Sequence, residues 1–210
     1  MERADSVTID AHKQMYVPVG AGMALFKNPH DANAVRHHAK YILREGSKDL
    51  GATTLEGSRN GMAVTVYSSL HILGRNGYQL LIDKAISLAQ TFARMINKHS
   101  HFELITEPVL SILTYRLRPA HLSALGEAPA SQLQTINDEL DKLTVSIQKQ
   151  QREAGKSFVS RTRIEVPQYH GASITVFRVV LANPLTTEKD LVNILNEQVA
   201  FAESHAIWQQ

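Results

Sequence analysis

Cysteine is absent from the 210 residues, which removes disulfides, thiolate metal ligands and a cysteine nucleophile together. A reducing compartment accommodates that composition. Neither sign of charge dominates: 22 Lys and Arg stand against 20 Asp and Glu, a formal charge of +2. Composition therefore gives no basis for a nucleic-acid or membrane-surface binder. No apolar run approaches the roughly 18 residues of a membrane span. No apolar stretch follows the charged start Met1-Glu2-Arg3-Ala4-Asp5, so a signal peptide is not read there. Internal repeats and low-complexity tracts are missing too. What is present, 43% hydrophobic and 20% charged residues, is the profile of a soluble globular protein of one large or two small domains, expected in the cytoplasm. The chain enters a strand by about Ser6 with nothing to cover it, and is read as a portion cut just upstream of a functional segment.

Along the chain, Ser6 to Asp10 is rich in β-branched residues and predicts a strand, and Val19 to Lys27 predicts a second, either buried or entered through Gly20 and Gly22. Asn28-Pro29-His30-Asp31 predicts a turn capping a helix from near Ala32. Arg44 to Ser58, with three glycines and no apolar period, reads as a long loop of the kind that carries function. Two helices are expected, Met62 to Leu73 and Tyr78 to Asn97, interrupted at Gly74-Arg75-Asn76-Gly77. Beyond them come strands at Phe102 to Thr106 and Leu110 to Leu117, a helix at Ser131 to Glu153, strands at Phe158 to Val166 and Ser173 to Leu181, and a last helix capped by Thr186. The order predicts the end of an α/β domain over residues 1–97. A small α+β domain over 98–210 follows, with an antiparallel sheet and helices on one side.

The informative stretch is Asp5-Ser6-Val7-Thr8-Ile9-Asp10-Ala11-His12-Lys13. It puts a lysine, directly after a histidine, at the C-terminal end of a strand, where α/β sheets place their ligands. Desolvation there would expose a neutral amine able to condense with an aldehyde, the arrangement that pyridoxal phosphate uses. From the residues alone, a surface lysine after an edge strand remains open as well.

This segment resembles the cofactor-lysine motif of the group II pyridoxal-phosphate decarboxylases, in which a strand ends in Asn-Pro-His-Lys or Asp-x-His-Lys. The resemblance implies that Lys13 binds the cofactor covalently and that His12 lies beside it, near its phosphate. Asp10-Ala11 stands where many members have Asn-Pro, and no phosphate contact is assigned to Asp10, because a carboxylate facing phosphate is repulsive. Tyr41, just before the glycine-rich loop, matches the family's mobile-loop tyrosine, a phenol that protonates the substrate carbon after carbon dioxide leaves. The alternative for Tyr41 is an aromatic packed at a helix end. Thr54-Leu55-Glu56-Gly57-Ser58-Arg59 is similar to the family's Gly-x-Arg turn, which implies that Arg59 grips the substrate α-carboxylate. A turn-capping or subunit-bridging arginine is the other reading. Gly57 would let the backbone approach the site closely.

The likeness continues through Leu113-Thr114-Tyr115-Arg116, Ser157 to Arg163 and Phe177 to Pro184. These runs are most like a bacterial branch comprising aspartate 1-decarboxylases, also labelled glutamate decarboxylases. The fold implied is the C-terminal part of a fold-type I transferase large domain plus its small domain. The activity implied is decarboxylation of an acidic amino acid, L-aspartate to β-alanine, with glutamate or L-2,4-diaminobutyrate as alternatives. The family's site forms at a homodimer interface, and its pyridine-nitrogen carboxylate, ring-stacking aromatic and most phosphate donors precede the lysine by more residues than this chain has. The 210-residue portion is therefore expected to be inactive alone, and a non-catalytic interaction module is the reading from another class. The ten histidines give no metal set, since neither His37-His38 nor His99 and His101 has a third ligand nearby. Arg161 and Arg163 are read as a solvated or interdomain edge, and Asp138 to Arg152 as a solvated helix face.

Overall fold

The computed structural model describes residues 2–37, 46, 49–54, 56 and 59–209. The chain divides into two compact units, Met1–Gln79 and Leu80–Gln210.

In the first unit, β1 (Ser6–Asp10) pairs antiparallel with β2 (Gly22–Phe26), Asp10 lying opposite Gly22. The alternation of Val7 and Ile9 gives β1 one half-buried side, but neither strand is buried. Of the two readings of the second strand, the buried one is thus not met. Among the described residues the two strands form a sheet of their own, and Leu25 and Phe26 are exposed. The unit's buried cluster is Ala11, Val17, Ala21 and Val66, with Met15, Met23 and Met62 against it. Asn28 caps a 3₁₀ helix at Pro29–Val35, accepting from the His30 amide at 3.1 Å. The short i to i+3 form replaces the expected helix from Ala32. Its Asn-Pro start is a common way to open a helix, because proline occupies a first-turn position whose N–H would have no partner to lose. A second 3₁₀ turn, Leu50–Thr53, lies inside the expected loop.

The helix α1 (Met62–Lys98) carries the chain across the division between units. It is two helical stretches meeting at a kink at Gly74 (φ 59, ψ −176), which begins the expected interruption. Glycine alone adopts such a conformation cheaply, so the break is confined to one residue.

The second unit holds a four-stranded antiparallel sheet in the order β3-β4-β6-β5, from β3 (Phe102–Thr106), β4 (Ile112–Leu117), β5 (Ser160–Val166) and β6 (Ala172–Val180). Helices α2 (Ala130–Ala154) and α3 (Glu188–Ala202) complete the β-β-α-β-β-α order that the sequence predicts. On α2, Leu133, Leu140, Leu143 and Ile147 recur at helical spacing and are buried. Leu191, Leu195 and Ala202 do the same on α3. They join Phe92 and Ile96 of α1 and the rings of Phe102, Tyr115 and Phe177 in one core. Tyr115 stands 5.3–5.8 Å, centroid to centroid, from Phe92, Phe102 and Phe177. Each such ring stabilises the unit by about 1.5–3 kcal/mol through burial.

A relay of hydrogen bonds crosses this core. The Tyr115 hydroxyl donates to Gln198 Oε1 at 3.0 Å, and Gln198 Nε2 donates to Gln151 Oε1 at 3.0 Å. Gln151 Nε2 then donates to Ser157 Oγ at 2.8 Å, and Ser157 donates to Glu197. Burial pushes the Tyr115 phenol far above its ordinary range, so it acts as a neutral donor. A Thr187–Asp190 capping box starts α3, so the cap is Thr187 and not Thr186. Arg161 and Arg163 are exposed, yet both reach α2, donating to Gln148 at 3.0 Å and to Asp141 at 2.9 Å. Asp141 also accepts from the Thr175 amide at 2.6 Å, so this part of α2 is a contact with the sheet and not a solvated face.

Candidate active site

The end of β1 is shaped by a turn. The Lys13 amide donates to the Asp10 carbonyl at 3.0 Å, and the Tyr16 amide to the Lys13 carbonyl at 3.3 Å. Tyr16 itself sits at φ 57, in the left-handed region that non-glycine residues rarely occupy. The turn is fastened to β2 and to α1. The His12 amide and His12 Nδ1 both donate to the Ala21 carbonyl, at 3.3 and 3.1 Å. The Tyr78 hydroxyl donates to the Met15 carbonyl at 2.9 Å. Ala11, between Asp10 and His12, is fully buried. A carbonyl oxygen only accepts, so Nδ1 carries the proton in this contact and the ring orientation is fixed.

Lys13 extends from this fastened turn. Its Nζ lies 2.7 Å from Asp10 Oδ2, and its side chain is 68% exposed. The desolvated lysine that the sequence predicts is not what the described residues provide: neither strand supplies an apolar wall around Nζ. The hydrogen bond from Lys13, and then its charge, hold the Asp10 carboxyl below the usual carboxylate range. Asp10 is accordingly turned onto the lysine, a placement consistent with a carboxylate that makes no phosphate contact. A primary amine exposed at a strand end, with an imidazole beside it, fits an aldehyde cofactor.

Arg59 is exposed and lines a separate feature of the first unit, a cleft of about 850 Å³. Its walls include Gly20, Met23, Glu56, Asn60 and Tyr67. Lys13 and His12 are not among the described residues that line it. Tyr41 and Gly57 fall outside the described residues. His12 and Lys13 share the β1 turn as consecutive residues, and Arg59 lines a cleft of the same unit that neither of them lines. The sequence reading missed the Asp10–Lys13 pair, although its three-residue spacing was the available signal. It also missed the Tyr78 brace, which joins residues 63 apart in the chain and leaves no local trace. Among the described residues no group of three His, Cys, Asp or Glu could hold a metal, and no helix is long and apolar enough to cross a membrane.

Residues 1–118 match the pyridoxal-dependent decarboxylase conserved domain, a stretch that contains the β1 turn, the cleft and α1. The chain belongs to the pyridoxal-dependent decarboxylase family. Among individual proteins, it is 55% identical over 208 residues to the aspartate 1-decarboxylase of Aliivibrio fischeri, covering 99% of this chain and 38% of that protein. It is 28% identical to the aromatic-L-amino-acid decarboxylase of Bacillus atrophaeus, covering 99% of this chain and 40% of the relative. The fold is similar to that of mouse CSAD, with a TM-score of 0.78 at 20% identity, over 96% of this chain and 40% of the other. The chain thus spans about two fifths of the length of the relatives it matches. The mixed helix-and-sheet architecture with antiparallel sheets is that of part of such a decarboxylase.

Proposed function

We propose that this chain is the cofactor-lysine and small-domain portion of a pyridoxal-phosphate-dependent L-aspartate decarboxylase, which releases β-alanine and carbon dioxide. One observation carries the reading: the exposed Lys13 amine, fastened at the end of β1, lies in the stretch matched by the family. The choice of aspartate is supported by the 55% identity to the Aliivibrio fischeri protein over nearly the whole chain.

In this reading Lys13 holds the cofactor at Nζ and His12 lies against it, oriented by the Ala21 carbonyl. When bound, pyridoxal phosphate supplies an electron sink for the pair left behind as the carboxylate departs. Arg59 binds the substrate α-carboxylate through two parallel hydrogen bonds, which fixes the bond to be broken. Tyr41 donates its phenolic proton to the α-carbon once loop closure excludes water. The homodimer rests on the family likeness and a cytoplasmic setting on the cysteine-free composition; a domain boundary at residues 97 and 98 rests on the change in element order there, whereas the compact units divide at residues 79 and 80.

The test of substrate is carbon dioxide release by the full-length polypeptide carrying this chain, offered L-aspartate, L-glutamate and L-2,4-diaminobutyrate in turn. Preference for aspartate is expected, and preference for either competitor overturns the assignment. Arg59→Ala is expected to raise KM for that substrate, and Tyr41→Phe to slow turnover while cofactor stays attached. Unchanged constants would remove either residue from the site.

A further inference from the structure

We propose that Asp10 is the positioning residue of Lys13: its carboxylate holds the lysine ammonium at the strand end and delays attachment of an aldehyde until the pair opens. The proposal rests on the reading of Lys13 as the cofactor lysine.

The pairing is built by the backbone. The Lys13 amide bonds the Asp10 carbonyl at 3.0 Å, which folds residues 10–13 into a turn and sets side chains i and i+3 side by side. Their charged atoms then meet at 2.7 Å. The turn has little freedom to relax. Ala11 is fully buried, and its carbonyl accepts the Val17 amide at 3.5 Å. His12 is doubly bonded to the Ala21 carbonyl. Across the sheet, Asp10 lies opposite Gly22, where a Cβ would meet Asp10 Oδ1 at 3.9 Å. The carboxyl is held below its usual range, first by the hydrogen bond from Lys13 and then by its charge, so it is ionised at neutral pH.

An ammonium in such a pair has no lone pair with which to attack. For attachment, Lys13 Nζ leaves Asp10 and gives one proton to solvent. It then forms a bond to the aldehyde carbon, and the carbonyl oxygen leaves as water. The balance is one carbon–nitrogen double bond formed, one carbon–oxygen double bond lost, and one water and one proton released, with no oxidant or reductant. Both partners reach solvent, with side-chain exposures of 68% for Lys13 and 37% for Asp10. The delay is therefore modest, about two- to fivefold, and sensitive to salt.

The test uses the chain, wild type and Asp10→Asn, with pyridoxal as probe, because it carries no phosphate to respond to salt by itself. Timed borohydride reduction and peptide mapping give the rate of labelling at Lys13. At about 20 mM salt the variant is expected to label about two- to fivefold faster than wild type. At about 0.5 M salt wild type is expected to approach the variant, which itself changes little. A purely structural role would alter the circular dichroism spectrum without creating this salt-dependent gap. Equal rates and equal salt responses, or slower labelling in the variant, overturn the role of Asp10 while leaving Lys13 as the cofactor lysine. Label on other lysines in both proteins overturns the reading of Lys13 instead. If the variant fails to fold, the wild-type rate decides: indifference to salt overturns the proposal, and acceleration by salt supports it.

Discussion

Replacing Glu103 with Gln removes one charge from the most buried ion pair among the described residues of the second unit. The Arg116 side chain is fully buried, and its Nε donates to Glu103 Oε2 at 3.0 Å, with Glu103 only 13% exposed. Removing one partner of such a pair costs about 3–5 kcal/mol, because the other charge is left without compensation. Three features put the expected loss at the lower end, about 3 kcal/mol. Glutamine keeps an oxygen that can accept from Arg116. The guanidinium retains Asn137 Oδ1 at 2.7 Å and the face of the Tyr169 ring, 4.5 Å from its centroid. The third is Tyr169 itself, whose hydroxyl donates to both Glu103 oxygens at 2.6 and 2.7 Å and can still donate to one. Burial foremost pushes the Tyr169 phenol up to about 12, so it stays a neutral donor in either protein. At about 3–5 °C per kcal/mol for a unit of this size, Tm should fall by roughly 10 °C. Trp208, the single tryptophan, lies in this unit against the His101 ring at 4.5 Å and reports its melting by fluorescence. Adding Arg116→Met to Glu103→Gln should recover part of the loss, since an apolar side chain needs no counter-charge. A Tm for Glu103→Gln within about 2 °C of wild type would refute the reasoning, because a buried arginine left without its carboxylate cannot be that cheap.

Two further perturbations test the same unit. His99 Nδ1 accepts the His101 amide at 3.2 Å, and burial first, then His101, hold its pKa below the ordinary 6.5. The unfolded chain therefore takes the proton first as pH falls, so the stability tied to neutral His99 is complete above 6.5 and is lost as pH drops through that value towards the folded one. Urea midpoints at about pH 7.5 and about pH 5.5 should differ more in wild type than in His99→Asn, and equal differences would contradict the assignment. Gly155 ends α2 at φ 66, with its amide bonded to the Gln151 carbonyl at 3.1 Å. A Cβ there meets nothing within 4 Å, so Gly155→Ala should cost about 1 kcal/mol from backbone strain alone. An unchanged Tm would contradict that.

Much of this fold is legible in the sequence because its elements carry local signals. The strands around Phe102, Ile112 and Ser173 alternate or cluster β-branched residues, and α2 repeats its leucines at helical spacing up to a glycine stop. What escaped was set by tertiary context. The kink at Gly74 is legible as a break between two helices, but its confinement to a single non-helical residue is not. Asp141 belongs to a charged run, and only the fold brings it to the Thr175 amide, 34 residues away. At the candidate site, the strand-end lysine and its histidine neighbour are written in nine consecutive residues. The exposure of Lys13 is not, because it depends on which walls surround the strand.

The central claim is that Lys13 is the cofactor lysine, and the direct measurement is to mix the chain with pyridoxal phosphate, reduce with borohydride and map the labelled peptide. A yellow absorbance band before reduction, with the label confined to Lys13 and lost in Lys13→Ala, is the predicted result. Label distributed over many lysines, or retained in full when Lys13 is replaced, would contradict it.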